Sequence, residues 1–258
     1  MDIVFVGSGR VATHLAKALY AGGHRITAVY SRTIASAEVL ANEVNALPTN
    51  RIDALPQKAD VFILSVKDSV LKDVITELEK GREQQVFLHT AGSIPMSVFG
   101  SHLHCGVFYP MQTFSKEKAV DFSRVHIFIE GCDAESLNLA RKIAETLSTN
   151  VHELSSSERR YLHLAAVFAC NFANHCYALS AQILEAHGLP FESMLPLIKE
   201  TAEKVESVHP REAQTGPASR RDENVMDAQK ALLTDNPRMQ QIYDIMSKSI
   251  IDTLNSND

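Results

Sequence analysis

Two hydrophobic periods alternate along the first half of the chain. Ile3-Val4-Phe5-Val6 is apolar without a break, the pattern of a strand buried on both faces. A glycine turn follows, and then apolar residues recur at helical spacing until Gly22-Gly23-His24 interrupts them. The same alternation repeats. Ile26–Tyr30 reads as a strand and Ile34–Glu43 as a helix. Val61–Val66 is a second continuous apolar run, and helical spacing returns over Val70–Leu78. Val86–His89, Val107-Phe108-Tyr109 and Val125–Ile129 read as later strands, with a helix over Ala134–Thr146 and a short strand near Val151. Strand and helix in regular succession predict a parallel sheet with helices on its faces.

From Ser156 onward no segment reads as a strand. Ser156–His187 is expected as one long helix, closed by Gly188 and Pro190. Further helices are expected over Pro190–Val205, Asn224–Leu233 and Arg238–Leu254. Asp222 and Asn236 are placed to cap the last two, with Pro237 at a first helical position. The predicted fold is an α/β nucleotide-binding domain over residues 1–153 and an all-α domain over 154–258. The long helix is apolar almost all round, so its Asn and His positions are expected to be buried and in need of partners.

Composition narrows the class. The chain has 258 residues, 45% hydrophobic and 22% charged, with a formal net charge of -6. These are values of a globular protein, and the negative balance argues against general nucleic-acid binding. Cys105, Cys132, Cys170 and Cys176 form no C-x-x-C pair and no zinc spacing, so no metal site is expected. The first strand starts at once, leaving no signal-peptide pattern, and no apolar stretch is long enough to span a bilayer. A cytoplasmic protein with no membrane partner is the expectation.

The chemistry gathers at the strand ends. Gly7-Ser8-Gly9-Arg10-Val11-Ala12 lies between a strand and a helix, where a nucleotide pyrophosphate binds. Gly7 permits the turn, Gly9 lets the backbone approach the phosphates, and the helix start offers free N–H groups. The second strand ends in Ser31-Arg32-Thr33 rather than in the carboxylate that accepts a ribose 2′-OH. An Arg between two hydroxyls suits a 2′-phosphate, which favours NADP over NAD; the plainer reading is a solvated loop arginine. Ser65-Val66-Lys67 and Thr90-Ala91-Gly92 close the next two strands and complete the expected cofactor cleft. Lys67 reads equally as a phosphate partner or a loop lysine. Tyr109-Pro110-Met111-Gln112-Thr113 reads either as a lining of the substrate side or as an ordinary loop.

On the long helix, Arg160, His163, Asn171 and Asn174 share a polar stripe. His163 is a candidate proton-transfer group, or else a satisfied core histidine, and Asn171 a candidate for orienting the substrate. Thr215–Arg221 is a stiff turn with two arginines, and Arg220 is a candidate for a substrate anion, or else part of a capping loop. The substrate site is expected between the two domains, lined by Thr90, Gly92, His163, Asn171 and Arg220. The apolar helix also predicts a homodimer through the helical half.

The strand-end motifs resemble the N-terminal domains of pyrroline-5-carboxylate reductases, deazaflavin-dependent NADP reductases and β-hydroxyacid dehydrogenases. Ala165-Ala166-Val167-Phe168 with Asn171-Phe172, followed by Thr215–Arg220, is similar to a family catalogued as a Rossmann-like domain plus a helical domain of unknown function. That resemblance spans nearly the whole chain. It implies an NADP-linked oxidoreductase with a helical dimerisation domain of the 6-phosphogluconate-dehydrogenase C-terminal type. The chain departs from two of these relatives. β-Hydroxyacid dehydrogenases carry a catalytic Lys four residues before a helical Asn, and here Val167 holds that place. The Gly-Gly-Thr-Thr loop of pyrroline-5-carboxylate reductases is replaced by Gly216-Pro217-Ala218. The expected function is hydride transfer to or from a small carbonyl, imine or redox-cofactor substrate. The alternative is a sensor or scaffold that holds NADP without turnover.

Overall fold

The structure is a computed structural model and describes residues 1–115 and 118–255. It divides into two compact units, Met1–Asn171 and Phe172–Asp258.

The first unit is built on an eight-stranded sheet. Its strands are β1 (Asp2–Val6), β2 (Arg25–Tyr30), β3 (Leu47–Thr49), β4 (Val61–Leu64), β5 (Phe87–His89), β6 (Cys105–Met111), β7 (His126–Gly131) and β8 (Val151–Glu153). Their order is β3-β2-β1-β4-β5-β6-β7-β8. All neighbours are parallel except β6 and β7. The helices are α1 (Arg10–Ala21), α2 (Ile34–Glu43), α3 (Asp68–Leu78), α4 (Ala134–Glu145) and α5 (Ser156–Ala166). The chain leaves β1 on one side for β2 and returns on the other as β4, which opens a crevice beyond the carboxyl ends of β1 and β4.

Continuous apolar strands are required because both faces are covered. In β1, Ile3 and Phe5 join one core with Leu15 and Leu19 of α1. Val4 and Val6 join the other with Leu71 and Ile75 of α3. The antiparallel β7 departs from a purely parallel sheet. Among its described residues the β6–β7 connection carries only a three-residue 3₁₀ turn (Phe122–Arg124), too short to be a crossover helix of the kind that joins parallel strands. β3 is a three-residue edge strand, too short to give a hydrophobic period.

A buried ion pair ties α5 to the sheet. Arg159 is 1% exposed and donates from Nη1 to Glu130 Oε2 of β7 at 2.6 Å. Its Nη2 donates to the Ile94 carbonyl at 2.6 Å. Glu130 also accepts from the Ser156 N–H at 3.0 Å and hydroxyl at 2.6 Å, and the Ser156 hydroxyl accepts from the Met96 N–H at 2.8 Å. One network therefore joins β7, the helix start and the loop after β5. A capping box of Ser155 and Glu158 adds reciprocal bonds to the N–H groups of those two residues.

The long helix expected over Ser156–His187 is helical throughout but not uniform. α5 gives way to a π-turn over Val167–Phe172, and α6 (Ala173–Ala186) continues in the second unit. That unit adds α7 (Leu195–Lys204), α8 (Glu223–Ala231) and α9 (Pro237–Asn255). Asp222 accepts from the Val225 N–H and Asn236 from the Met239 N–H, so both caps form as expected. Lys230 pairs with Asp244, and Tyr243 donates to Gln229, joining α8 to α9. The expectation that the long helix is buried fails within this chain. Tyr161 is 72% exposed and Phe168 64%, with Leu164 and Phe172 also exposed. Only Ala218 and Met239 of the second unit's apolar residues are buried. No helix among the described residues is long and apolar enough to cross a membrane.

Replacing Arg159 with Leu should strand the Glu130 carboxylate in the interior. Breaking one side of such a pair costs about 3–5 kcal/mol. Urea unfolding of wild type and Arg159→Leu measures the loss, and a difference below about 1 kcal/mol would show that the pair does not hold α5 down.

Candidate functional site

Four strand ends converge on one face of the sheet. Gly7 has φ +125°, and a Cβ added there would meet the Ser65 carbonyl oxygen at 2.2 Å. Only glycine fits this turn, which lets β1 and β4 sit side by side at their ends. Gly9 starts α1 without a side-chain cap, and nothing lies within 4 Å of where its Cβ would stand. The first helical bond runs from the Thr13 N–H to the Gly9 carbonyl, so the N–H groups of Arg10, Val11 and Ala12 have no partner inside the helix. The first turn carries no acid. It is an open, positively polarised helix end.

Beside it is a cleft of about 340 Å³ lined by Gly7, Ser8, Gly9, Tyr30, Ser31, Arg32, Ser65, Val66, Lys67, Val70 and Val74. Ser8 donates to the Ser31 hydroxyl at 2.9 Å, linking the ends of β1 and β2. Arg32 is exposed and makes no ion pair or hydrogen bond among the described residues. Thr33 precedes α2 without capping a backbone N–H, and its hydroxyl donates to the Ser36 hydroxyl at 2.8 Å. Lys67 is the exposed residue before α3. Val66, Val70 and Val74 give the cleft an apolar wall, suited to a flat aromatic ring. The residues present fit a dinucleotide: an open helix end for the pyrophosphate, a free guanidinium at the end of β2, and an apolar slot.

A second cluster lies at the ends of β5 and β6. The Thr90 hydroxyl donates to Ser65 at 3.1 Å, joining this cluster to the cleft wall. Gly92 is buried, and a Cβ there would stand 2.4 Å from His163 Nδ1 and 3.0 Å from the Tyr109 ring. The Tyr109 hydroxyl lies 2.9 Å from His163 Nδ1. His163 follows Arg159 by one helical turn, so the buried guanidinium and the imidazole share one face of α5. Burial holds the Tyr109 phenol above its usual range, with the Arg159 guanidinium opposing in part.

Not all expected site residues join these clusters. Asn171 lies in the π-turn and is exposed, and its side chain has no hydrogen-bond partner among the described residues. Arg220 ends a 3₁₀ turn (Ala218–Arg220) in the second unit; its neighbour Arg221 adopts a left-handed φ of 54° and bonds Asn255. The polar stripe also differs from expectation. Arg160 is exposed, and the buried arginine is Arg159. Of the residues gathered here, Tyr109 belongs to the segment read either as a substrate-side lining or as an ordinary loop, whereas Glu130 and Arg159 were not among the expected site residues. The signal for that pair was a charged residue, Glu130, directly behind an apolar strand.

His89 is fully buried under the same strand ends. Its Nδ1 accepts from the Ala91 N–H at 3.2 Å, its ring stacks on Phe99, and Nε2 is enclosed without a partner. Burial, reinforced by the Arg159 guanidinium, pushes its pKa down to about 3. It is a neutral spacer. Among the described residues, no group of three or more His, Cys, Asp or Glu is placed to hold a metal.

Comparison with known proteins agrees with this architecture. Residues 2–91 match the family model "NADP oxidoreductase coenzyme F420-dependent", and residues 125–250 match "Domain of unknown function (DUF2520)". No curated protein matches the chain. A Bacteroides fragilis protein described as a "putative NADP oxidoreductase" is 49% identical over 97% of this chain and 98% of its own, with a TM-score of 0.93. The fold is shared with an imine reductase from Myxococcus stipitatus solved with NADP+ (16% identity, 99% and 95% coverage, TM-score 0.72). It is shared too with 1-pyrroline-5-carboxylate reductase from Streptococcus pyogenes (15% identity, 99% and 98% coverage, TM-score 0.66). The chain belongs to the family of this Bacteroides protein, and in this chain the match to the NADP oxidoreductase model precedes the match to DUF2520.

His89 makes the strand-end cluster sensitive to acid. Its folded pKa lies below the ordinary histidine value near 6.5. Its contribution to stability is therefore complete above pH 6.5 and is lost progressively as pH falls toward 3. The unfolding free energy of wild type should drop by about 1 kcal/mol per pH unit more steeply in that window than that of His89→Phe. Urea titrations at several pH values measure both slopes, and parallel slopes would contradict a neutral buried imidazole.

Proposed function

We propose that the protein is an NADP(H)-dependent oxidoreductase that moves hydride to or from a small carbonyl, imine or redox-cofactor substrate. The observation that carries this reading is the unpaired Arg32 guanidinium between Ser31 and Thr33, beside an uncapped helix start. The bound nicotinamide would supply the hydride. Ser8, Gly9, Arg10 and Val11 take the pyrophosphate on backbone N–H groups, beside the turn made by Gly7, whose own N–H is given to the Tyr30 carbonyl. Ser31, Arg32 and Thr33 take the 2′-phosphate, and Ser65, Val66 and Lys67 border the ribose. Thr90 and the bare backbone of Gly92 leave room for the nicotinamide. His163 exchanges the proton that accompanies hydride transfer, and Asn171 orients the reacting group. Arg220 is assigned to a substrate anion. The description of the Bacteroides relative as an NADP oxidoreductase supports the choice of cofactor.

Two further parts belong to this reading. The exposed apolar residues of the helical half, among them Phe172, Leu197 and Ile245, are assigned to a homodimer interface. Sedimentation showing a monomer at micromolar concentration would contradict that. The four free thiols suit a reducing, cytoplasmic setting.

Two substitutions separate the roles. Arg32→Ala should weaken NADPH by roughly 1.5–3 kcal/mol, the scale of a charge-assisted contact, and leave NADH nearly unchanged. Fluorescence titration with both cofactors checks this, and equal losses would remove the 2′-phosphate assignment. Asn171→Ala should slow NADPH consumption across a panel of keto acids, imines and flavins without weakening NADPH binding. Unchanged turnover in that mutant would remove Asn171 from the site. Tight NADPH binding by wild type with no consumption on any of the panel would favour a sensor instead.

A further inference from the structure

Tyr109 and His163 come from different layers of the first unit, β6 and α5, yet their polar atoms meet at 2.9 Å. Tyr109 is 9% exposed, while the imidazole is half-buried. Gly92 presses on both, since a single added carbon would come 2.4 Å from Nδ1. The ring is thus held edge-on, with Nδ1 occupied. Nε2 makes no hydrogen bond among the described residues, and no carboxylate forms an ion pair with the ring. The imidazole has one committed nitrogen and one free one.

We infer that Tyr109 is a positioning residue that reserves Nδ1 of His163 and leaves Nε2 to exchange a proton with an uncharged carbonyl substrate, rather than with a preformed iminium. This rests on the oxidoreductase reading of the neighbouring cleft. A phenol hydroxyl can donate to a bare Nδ1 or accept from Nδ1–H, so this hydrogen bond survives both protonation states of the ring. The ring therefore need not turn when its proton leaves. Burial keeps Tyr109 a hydroxyl rather than a phenolate, which suits it to this role and not to giving up its own proton.

Hydride from the reduced nicotinamide forms a C–H bond, the C=O π pair moves to oxygen, and that oxygen takes the Nε2 proton of the imidazolium. The carbonyl is reduced, the nicotinamide oxidised, and His163 is left neutral with its remaining proton on Nδ1, donated to Tyr109. A preformed iminium needs hydride alone, so the dyad has no proton to supply there. A cationic substrate would also call for a carboxylate, and the dyad has none.

The test uses the full chain with NADPH and two probes, 2,3-butanedione as carbonyl and N-methyl-3,4-dihydroisoquinolinium as iminium. Tyr109→Phe should lower kcat on the dione about 10- to 100-fold, the scale seen when a hydrogen-bond partner that orients a metal-ligating histidine is removed. The NADPH Kd should be unchanged, and any iminium turnover should be unaffected. In ¹⁵N spectra of the imidazoles, the same substitution should move the His163 Nδ1 resonance. Gly92→Ala, which displaces the ring by a different route, should reproduce the kinetic loss. An unmoved Nδ1 resonance, an unchanged kcat on the dione, equal losses on both probes, or wild-type turnover of the iminium alone would each overturn the proposal. Wild type that consumes NADPH with neither probe would count against the oxidoreductase reading, and the Nδ1 resonance would still decide whether Tyr109 holds that nitrogen.

Discussion

Arg159 is the largest side chain among the described residues to be fully enclosed, and the chemistry of the first unit hangs from it. Taking a guanidinium out of water costs several kcal/mol, and a single carboxylate rarely repays it. Here the cost is offset by a set of contacts. Glu130 supplies the opposite charge, and the Ile94 carbonyl and the Ser156 hydroxyl take the second amino group. Its partner Glu130 is in turn satisfied by the N–H and hydroxyl of Ser156. A pair so connected specifies position more than it adds stability. It fixes α5 over β7 at one rotation, and that rotation sets where His163, one turn later, points.

The same constraint explains why the strand ends are crowded rather than open. With α5 held down, the His163 imidazole sits 2.9 Å from the Tyr109 hydroxyl, and only a residue without a side chain fits at Gly92. Beneath them His89 must stay neutral, because a second buried cation beside Arg159 would have no counter-charge. Thr90 and Ser65 then carry the contact across to the cleft beside the start of α1. The cleft and the Tyr109–His163 dyad are thus consecutive along one row of strand ends. This follows from the parallel order β1-β4-β5-β6.

Much of this was legible in the chain. Ile34–Glu43 is read to the residue from its hydroxyl-flanked entry, although its apolar period is weak and only Ala37, Leu40 and Ala41 are buried. The caps at Asp222 and Asn236 are likewise local signals with local causes. What was not legible depends on distant pairing. The antiparallel β7 has the same apolar pattern as a parallel strand, and β3 is too short to show a period. The choice of Arg159 over Arg160 as the buried arginine depends on where Glu130 falls, 29 residues away in sequence. The π-turn at Val167–Phe172 shifts the helical phase, so a stripe drawn at a constant angle through His163 and Asn171 does not stay on one face. The long helix reads as buried, yet Tyr161, Leu164, Phe168 and Phe172 are exposed, because periodicity reports how apolar a helix is and not whether this chain covers it.

The sensor and the enzyme readings ask different things of the strand ends. A protein that only holds a dinucleotide needs the glycine turn, the open helix start and a cation for the phosphate. It has no use for a histidine aimed at the next strand end. Such an arrangement is costly to keep. A glycine must be retained in the loop after β5, a tyrosine must bury its hydroxyl, and a charged pair must be enclosed to hold the helix that carries the imidazole. Each of these would be more simply replaced by an apolar contact if position alone mattered. Their joint product is one half-buried imidazole with a free nitrogen beside the cleft. Proton exchange next to a hydride acceptor uses that product, and nucleotide storage does not.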